Sequence, residues 1–166
     1  MRPHKWFALF VVLFVVAAVA FSADAQQKRR FTFGYDQPHS TGYGFSADVF
    51  GKKLEELSKG MFVVDQFPAA QLGQEPVMLQ KIRSGDIDFV ISSTANGSTL
   101  SPQLGVMSIH YLLENDQHLI KAIASPELNA AVRQLVRETV QGAHVITLQT
   151  LGLRNLYGKL HDARLE

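Results

Sequence analysis

The stretch 61–92 reads MFVVDQFPAAQLGQEPVMLQKIRSGDIDFVIS and decides the fold. Its two ends, 61–67 and 87–92, are short, apolar and rich in β-branched residues, as strands are. Between them, 68–73 predicts a turn and Glu75–Ser84 predicts a helix that Gly85 ends. Two strands joined through a helix are expected to lie parallel, because a parallel pair needs a crossover connection.

The segments around this unit continue the alternation. A strand is predicted at 31–36, followed by a polar loop and an amphipathic helix at 42–58, whose apolar face carries Ala47, Phe50, Leu54 and Leu57. On the other side, 92–102 predicts a loop. The remaining predicted elements are helices at 115–124 and 127–141, a strand at 143–148 and a possible fifth strand at 153–157. The predicted fold class is α/β, with a mainly parallel sheet flanked by helices.

Composition excludes several classes of protein. The chain has 166 residues, which suits one domain or one lobe of a larger protein, and its 46% hydrophobic content indicates a packed core rather than a disordered chain. Sixteen basic and fifteen acidic residues leave no basic excess, so a dedicated nucleic-acid binder is not expected. Because the chain has no cysteine, disulfides, thiolate catalysis and cysteine-ligated metals are excluded.

Residues 1–25 have the layout of a secretory signal peptide. Arg2 and Lys5 precede sixteen residues without a charge, and Ala23-Asp24-Ala25 forms a small-x-small cleavage site. The alternative is an uncleaved membrane anchor, but the apolar run is short for the roughly 30 Å hydrocarbon core of a bilayer. We therefore expect cleavage near Ala25 and a periplasmic mature protein.

Other motifs point only weakly to chemistry. The glycines of 42–47 match G-x-G-x-x-A, but they lie too far beyond the preceding strand for a dinucleotide fingerprint. The six histidines are scattered, so no metal site is predicted. Asp86 and Asp88 are expected to cap a turn, and the serines at 92, 93 and 101 lack the setting of a hydrolase nucleophile. No catalytic residue, metal or cofactor is predicted.

Polar loops follow the first three predicted strands, at 36–41, 71–75 and 92–96. Ligands of open parallel sheets bind where the strands end, so these loops are either a ligand site or ordinary polar surface. Arg154 follows Leu151-Gly-Leu, and its guanidinium either grips a carboxylate with two hydrogen bonds or lies on the surface.

Together these motifs resemble the periplasmic solute-binding proteins of TRAP transporters, the DctP type. The resemblance rests on Phe33-Gly-Tyr, on FPAAQLGQE at 67–75, on MLQKIRSGDIDF at 78–89 with the Val-Ile-Ser-Ser that follows, on Pro102-Gln-Leu-Gly-Val and on Leu151-Gly-Leu-Arg154. It implies the first lobe of a type II-like periplasmic-binding-protein clamshell. Such a receptor is expected to capture a small organic acid and deliver it to the TRAP permease. Its only contact with the membrane would be through that permease.

The resemblance also implies a set of ligand-binding residues and a missing part. Arg154 matches the arginine that reaches the ligand carboxylate, and the remaining contacts are expected at Asp36, Gln37, Glu75, Ser93 and Asn96. Proteins of this family are about twice as long. We therefore expect 26–150 to form the first lobe and 151–166 to begin the crossover to a second lobe, which this sequence lacks.

Two alternatives to a receptor lobe stay open. One is an exported α/β enzyme that uses Asp36 or Glu75 as a general base, although no set of nucleophile, base and orienting group is recognisable. The other is a truncated remnant without function, because a single lobe cannot enclose a ligand and remove it from water.

Overall fold

The computed structural model describes residues 28–152. The elements follow in the order β1 (Arg29–Gly34), α1 (Gly42–Leu57), β2 (Phe62–Phe67), α2 (Glu75–Ser84), β3 (Phe89–Val90), α3 (Thr94–Gly97), a 3-10 helix (Pro102–Ser108), α4 (Asp116–Ala124) and α5 (Pro126–Thr139). None of the helices in this part of the chain is both long and apolar enough to cross a membrane.

The three strands form one parallel sheet in the order β2-β1-β3. Strand β1 lies in the centre, where Arg29 pairs with Phe62 of β2 and Phe33 pairs with Phe89 of β3. Helix α1 connects β1 to β2, and α2 connects β2 to β3. The predicted α/β class with a parallel sheet is confirmed.

Helices α1 and α2 pack on opposite faces of the sheet. Phe33 and Gly34 are neighbours in β1 and therefore point to opposite faces. The Phe33 ring lies 5.6 Å from that of Phe50 in α1, whereas a side chain at Gly34 would collide with Met78 of α2. The sheet is therefore covered by helices on both faces. The chain places β2 on one side of β1 and then returns to place β3 on the other side, so the strand order reverses at β1. Ligands bind at such switch points in open parallel sheets.

The core between the sheet and α1 is largely aromatic. Its buried members are Phe33, Tyr35, Tyr43 and Ala47, and Phe50 and Phe89 pack against them. The Phe50 and Phe89 rings meet edge to face with centroids 4.8 Å apart, a geometry that adds about 0.5–1.5 kcal/mol per pair beyond the burial of apolar area.

Helix boundaries follow the predicted capping residues. The side chain of Ser125 accepts a hydrogen bond from the Leu128 N–H at the start of α5, and that of Asn115 caps α4 in the same way. Gly85 ends α2 in the left-handed conformation, with φ at 82°, as glycine allows without strain.

Three predictions of local structure are wrong. Residues 143–148 do not form a strand, since none of the described strands pairs with them and the Arg133 side chain donates to the Ile146 carbonyl. The predicted loop 92–102 contains α3, which begins after Ser93. Strand β3 is shorter than predicted, because the carboxylate of Asp88 accepts the hydrogen bond of the Thr32 N–H. The possible strand at 153–157 lies outside the described residues.

Candidate functional site

The carboxyl edge of the sheet brings together the three predicted polar loops around Glu75. This glutamate stands in the first turn of α2, directly after the turn that follows β2, and only 3% of it is exposed. The segment after β3 reaches it from one side and the start of α1 from the other, through Tyr43. Glu75 therefore joins elements from both sides of the switch point.

The carboxylate of Glu75 accepts hydrogen bonds from the whole segment that follows β3. Its Oε2 accepts from the Asn96 amide at 2.6 Å, from the Ser93 N–H and hydroxyl at 2.9 Å each, and from the Ser92 hydroxyl at 3.0 Å. Its Oε1 accepts from the Tyr43 hydroxyl at 3.3 Å. These bonds compensate for burying the charge, which otherwise costs several kcal/mol.

These donors set the ionisation of Glu75. Burial acts to raise the pKa of its carboxyl group, but the hydrogen bonds from Asn96, Ser93 and Ser92 outweigh burial and hold the pKa below the ordinary glutamate value. Hydrogen bonds to the charged form of a carboxyl group favour that form. Glu75 is therefore a carboxylate at neutral pH, held in place by its donors.

Asp36 adds a second carboxyl group beside Glu75. It follows β1, is partly buried, and accepts a hydrogen bond from the Gln37 amide at 3.3 Å. Burial raises the pKa of Asp36, and the negative charge of Glu75 raises it further. Among residues 28–152, no ion pair involves either acid. Within residues 28–152, the edge thus carries two neighbouring acids that form no ion pair.

A second hydrogen-bonded chain holds the loop after β1 against α1. His39 in that loop lies 3.1 Å from Asp48 of α1, and Asp48 accepts from the Gln66 amide at 2.7 Å. Gln66 in turn accepts from the Tyr35 hydroxyl at 2.7 Å. The hydrogen bonds from Gln66 and His39 lower the pKa of Asp48. This chain positions the loop that carries Asp36 and Gln37.

The glycines at the start of α1 serve packing. A Cβ atom at Gly44 would overlap the backbone carbonyl of His39, so only glycine lets this loop fold back onto the helix. A side chain at Gly42 would collide with Leu151. Both close contacts are to the chain itself, which supports the interpretation of these glycines as loop-to-helix residues.

The larger of two surface hollows beside α2 does not include Glu75. It measures about 640 Å³, lies on the outer side of α2 and is open to solvent. Its lining residues are Pro76, Val77, Gln80, Lys81, Ser84, Asp86 and Thr99. Within residues 28–152 there is also no group of three or more histidines, aspartates or glutamates that could hold a metal ion.

Most of the predicted site residues therefore lie together. Glu75, Ser93 and Asn96 are hydrogen bonded to one another, and Asp36 and Gln37 lie beside them. Glu75 is buried, whereas a residue on the open surface of a ligand site would be exposed to solvent. Arg154 lies outside the described residues.

Sequence reasoning missed the part that Tyr43 plays. It lies in the Gly-Tyr-Gly of 42–44, where the glycines drew attention, yet its buried hydroxyl contacts Glu75. Ser92 was considered as part of a polar loop and as a nucleophile, but not as a donor to the same carboxylate, which it is. An aromatic residue between two glycines at a helix start was the available signal.

Comparison with known proteins shows that the chain matches one protein family. The model of "Bacterial extracellular solute-binding protein, family 7", the DctP family, matches residues 33–162. The 2,3-diketo-L-gulonate-binding periplasmic protein of Escherichia coli is 28% identical over 111 residues, which are 67% of this chain and 34% of that protein. The C4-dicarboxylate-binding protein of Bacillus subtilis is 28% identical over 81 residues, 49% of this chain and 23% of that protein.

Solved structures agree with this result. A TRAP periplasmic solute-binding protein from Bordetella bronchispeptica, with density interpreted as pantoate, is 27% identical and superposes with a TM-score of 0.63. The match covers 68% of this chain and 37% of that one. The chain thus spans about a third of the length of the first curated relatives it matches.

Proposed function

Because the chain belongs to the DctP family of bacterial extracellular solute-binding proteins, we propose that it is the ligand-binding first lobe of a TRAP transporter receptor. In this proposal, residues 26–150 form the lobe and 151–166 lead into a crossover to a second lobe. The ligand is a small organic acid, bound between the lobes and then delivered to the membrane permease. The lobe binds this ligand without changing it chemically.

One observation carries the proposal: the loops after all three strands converge at the carboxyl edge of the sheet, around Glu75. Ser93 and Asn96 are fixed by the bonds they donate to this carboxylate, and Asp36 lies beside it. A binding surface made of prearranged groups loses less entropy when the ligand binds. Glu75 itself acts mainly as the anchor that prearranges Ser93 and Asn96.

Arg154 is proposed to supply the positive charge that the described edge lacks. Its guanidinium would hold the ligand carboxylate with two parallel hydrogen bonds, a geometry for which arginine is suited. The matching relatives and solved structures include proteins named for organic acid ligands, which supports an anion as the ligand of this chain.

The proposed location is the periplasm. Residues 1–25 would direct export and be removed near Ala25, and the permease would be the only contact with the membrane. This location suits a receptor that captures a solute before transport.

The alternative of an exported enzyme is less well supported. A general base needs a free lone pair and a pKa near the working pH. Glu75 accepts four hydrogen bonds on Oε2, and its pKa is lowered, away from the working pH. Asp36 has a raised pKa but no nucleophile has been identified beside it.

The test is a thermal-shift screen of the chain, exported with its own leader and purified from the periplasm. Monocarboxylates and dicarboxylates are added at up to tens of millimolar, because a single lobe is expected to bind weakly. A ligand that binds the folded state raises the melting temperature by mass action. The Arg154→Ala variant is expected to lose this rise.

A matched control distinguishes a specific effect of the Arg154 guanidinium from the effect of removing any positive charge. Arg83→Ala removes a cation from the exposed side of α2, where its guanidinium donates to Gln80 of the same helix. This variant is expected to respond to ligand as the unaltered chain does. If no acid shifts the melting temperature, or if Arg154→Ala responds fully, the proposed receptor role is wrong. Turnover of any screened compound would favour the enzyme instead.

A further inference from the structure

We propose that Asn96 is a modification site: it deamidates through the Gly97 nitrogen, the folded chain slows this reaction, and its product breaks the hydrogen-bonded cluster around Glu75. The inference does not depend on the proposed function. Asn96-Gly97 is the one asparagine–glycine pair in the sequence, and asparagine is among the thermally labile residues of proteins. A glycine after the asparagine favours the reaction, because it has no side chain to hinder the approach of its backbone nitrogen.

The reaction consumes only water. The Gly97 backbone nitrogen gives up its proton to solvent and attacks Cγ of Asn96, so that a new N–Cγ bond forms and the side-chain amide leaves as ammonia. Water then opens the resulting cyclic imide. If the new N–Cγ bond breaks, the product is aspartate. If the original peptide bond breaks, the product is isoaspartate, in which the main chain runs through Cγ. Either product carries a carboxylate in place of the Asn96 amide.

The fold restrains both reacting groups. The N–H of Gly97, which is buried, donates to the Ser93 carbonyl at 2.9 Å, so its proton is protected from solvent while this bond lasts. The Asn96 amide nitrogen is held by Oε2 of Glu75 at 2.6 Å. In the main chain, the Asn96 N–H donates to the Ser93 hydroxyl at 3.2 Å, and the Asn96 carbonyl accepts from the Thr99 N–H at 3.0 Å. The reaction therefore requires α3 to open locally.

The product does not fit the cluster around Glu75. Asn96 donates the shortest of the four hydrogen bonds that Oε2 of Glu75 accepts. A carboxylate at position 96 has no proton to donate at neutral pH, and it would bring a second negative charge against the buried charge of Glu75. Like charges at this distance repel, and a buried acceptor that loses a donor costs stability. Deamidation is therefore expected to release α3 from Glu75.

The experiment compares the deamidation rate of the exported, purified chain in its folded state and in guanidinium chloride, at the same pH and temperature. Trypsin, used at mildly acidic pH to avoid deamidation during digestion, releases peptide 84–121, whose fragment ions distinguish Asn96 from Asn115. Asn115 is the internal control, because the side chain of its successor Asp116 hinders the same attack. In guanidinium chloride, Asn96 is expected to react much faster than Asn115.

Folding is expected to slow the reaction of Asn96 about tenfold or more, since it waits for an opening that costs at least about 1.4 kcal/mol. Ser93→Ala removes the hydroxyl that accepts from the Asn96 N–H and donates to Glu75. It is expected to reduce this protection, measured as the ratio of denatured to folded rates, severalfold. The control is Ser98→Ala, which removes a bond to the Ala95 carbonyl at the other end of α3 and should leave the ratio unchanged.

The variant Asn96→Asp tests the consequence, because it reproduces the direct product of the reaction. Its urea midpoint at neutral pH is expected to be lower than that of the unaltered chain by roughly 0.5–3 M. Asn115→Asp is the matched control. Asn115 accepts a hydrogen bond from the His118 N–H at the start of α4, and aspartate keeps this role, so the midpoint should not fall.

Each part of the inference can be overturned separately. If Asn96 reacts no faster than Asn115 in guanidinium chloride, the assignment of the site is wrong. If the folded chain reacts as fast as the denatured one, the protection is wrong, and this comparison decides the point even where circular dichroism shows Ser93→Ala to be unfolded. An Asn96→Asp midpoint equal to that of the unaltered chain overturns the consequence.

Discussion

Replacing Glu75 by glutamine is expected to destabilise the fold strongly, because the change removes the charge and turns one acceptor oxygen into an NH2 donor. Glu75 accepts four hydrogen bonds on Oε2, three of them from Ser93 and Asn96. Hydrogen bonds to a charged group contribute about 1.5–3 kcal/mol and neutral ones about 0.5–1.5 kcal/mol. The bonds share one acceptor and do not add, so the expected loss is about 2–3 kcal/mol.

Urea unfolding measures this loss. With a slope of about 1–3 kcal/mol per molar urea, the midpoint is expected to fall by roughly 0.7–3 M while the slope stays the same. The melting temperature is expected to fall by roughly 6–12 °C. The matched control is Glu56→Gln, at an exposed ion pair with Lys53 of α1, where the loss is expected to stay within about 0.5 kcal/mol.

The pH dependence gives a second measurement of the same prediction. The folded-state pKa of Glu75 is lowered, so its stabilising contribution is complete at neutral pH and is lost as the pH falls from the unfolded-state pKa of about 4.3 through the folded-state pKa. The difference between the unaltered chain and Glu75→Gln should therefore shrink on acidification. A loss below about 0.5 kcal/mol at pH 7, or a difference that grows toward acid, would refute this account of Glu75.

Three further predictions concern other parts of the chain. Asp36→Asn should raise the free energy of unfolding by about 0.5–1 kcal/mol at pH 7 and by less in acid. The reason is that the raised pKa of Asp36 costs stability only where the carboxyl group is ionised. A lower urea midpoint for the variant at pH 7 would contradict this. Gly44→Ala should lower the melting temperature through its clash with His39, whereas Gly51→Ala in the same helix should leave it unchanged or raise it. Mass spectrometry of the exported chain should find its N-terminus just after Ala25.

Local sequence signals were sufficient for the four longer helices and for the succession of the first three strands along the chain. Glu75–Ser84 has both its boundaries in the sequence, an acidic first turn and a following glycine, and the structure places the helix there. Ser125 before Pro126 likewise predicted the start of α5. Such features depend on neighbours within a few residues, which is why the sequence alone reveals them.

Features that depend on distant partners were not predictable in the same way. The apolar segment 143–148 has the composition of a strand, but a strand needs a neighbour, and Arg133 takes the Ile146 carbonyl instead. The depth of Glu75 also depends on Tyr43 and Ser92, which are remote in sequence. The resemblance predicted Glu75 as a ligand contact, but only the fold shows that it is buried and hydrogen bonded to Ser93 and Asn96.

The place of β1 in the middle of the sheet has a consequence for biogenesis. This strand is made first, and both strands that pair with it are made later. Arg29 can pair only after Phe62 has been synthesised, and Phe33 only after Phe89. Pairing between strands distant in sequence is slow, because the intervening chain must first be ordered. The newly made chain behind the proposed leader would stay unfolded at least until β3 has been made, and an unfolded chain is the state that a secretion channel accepts.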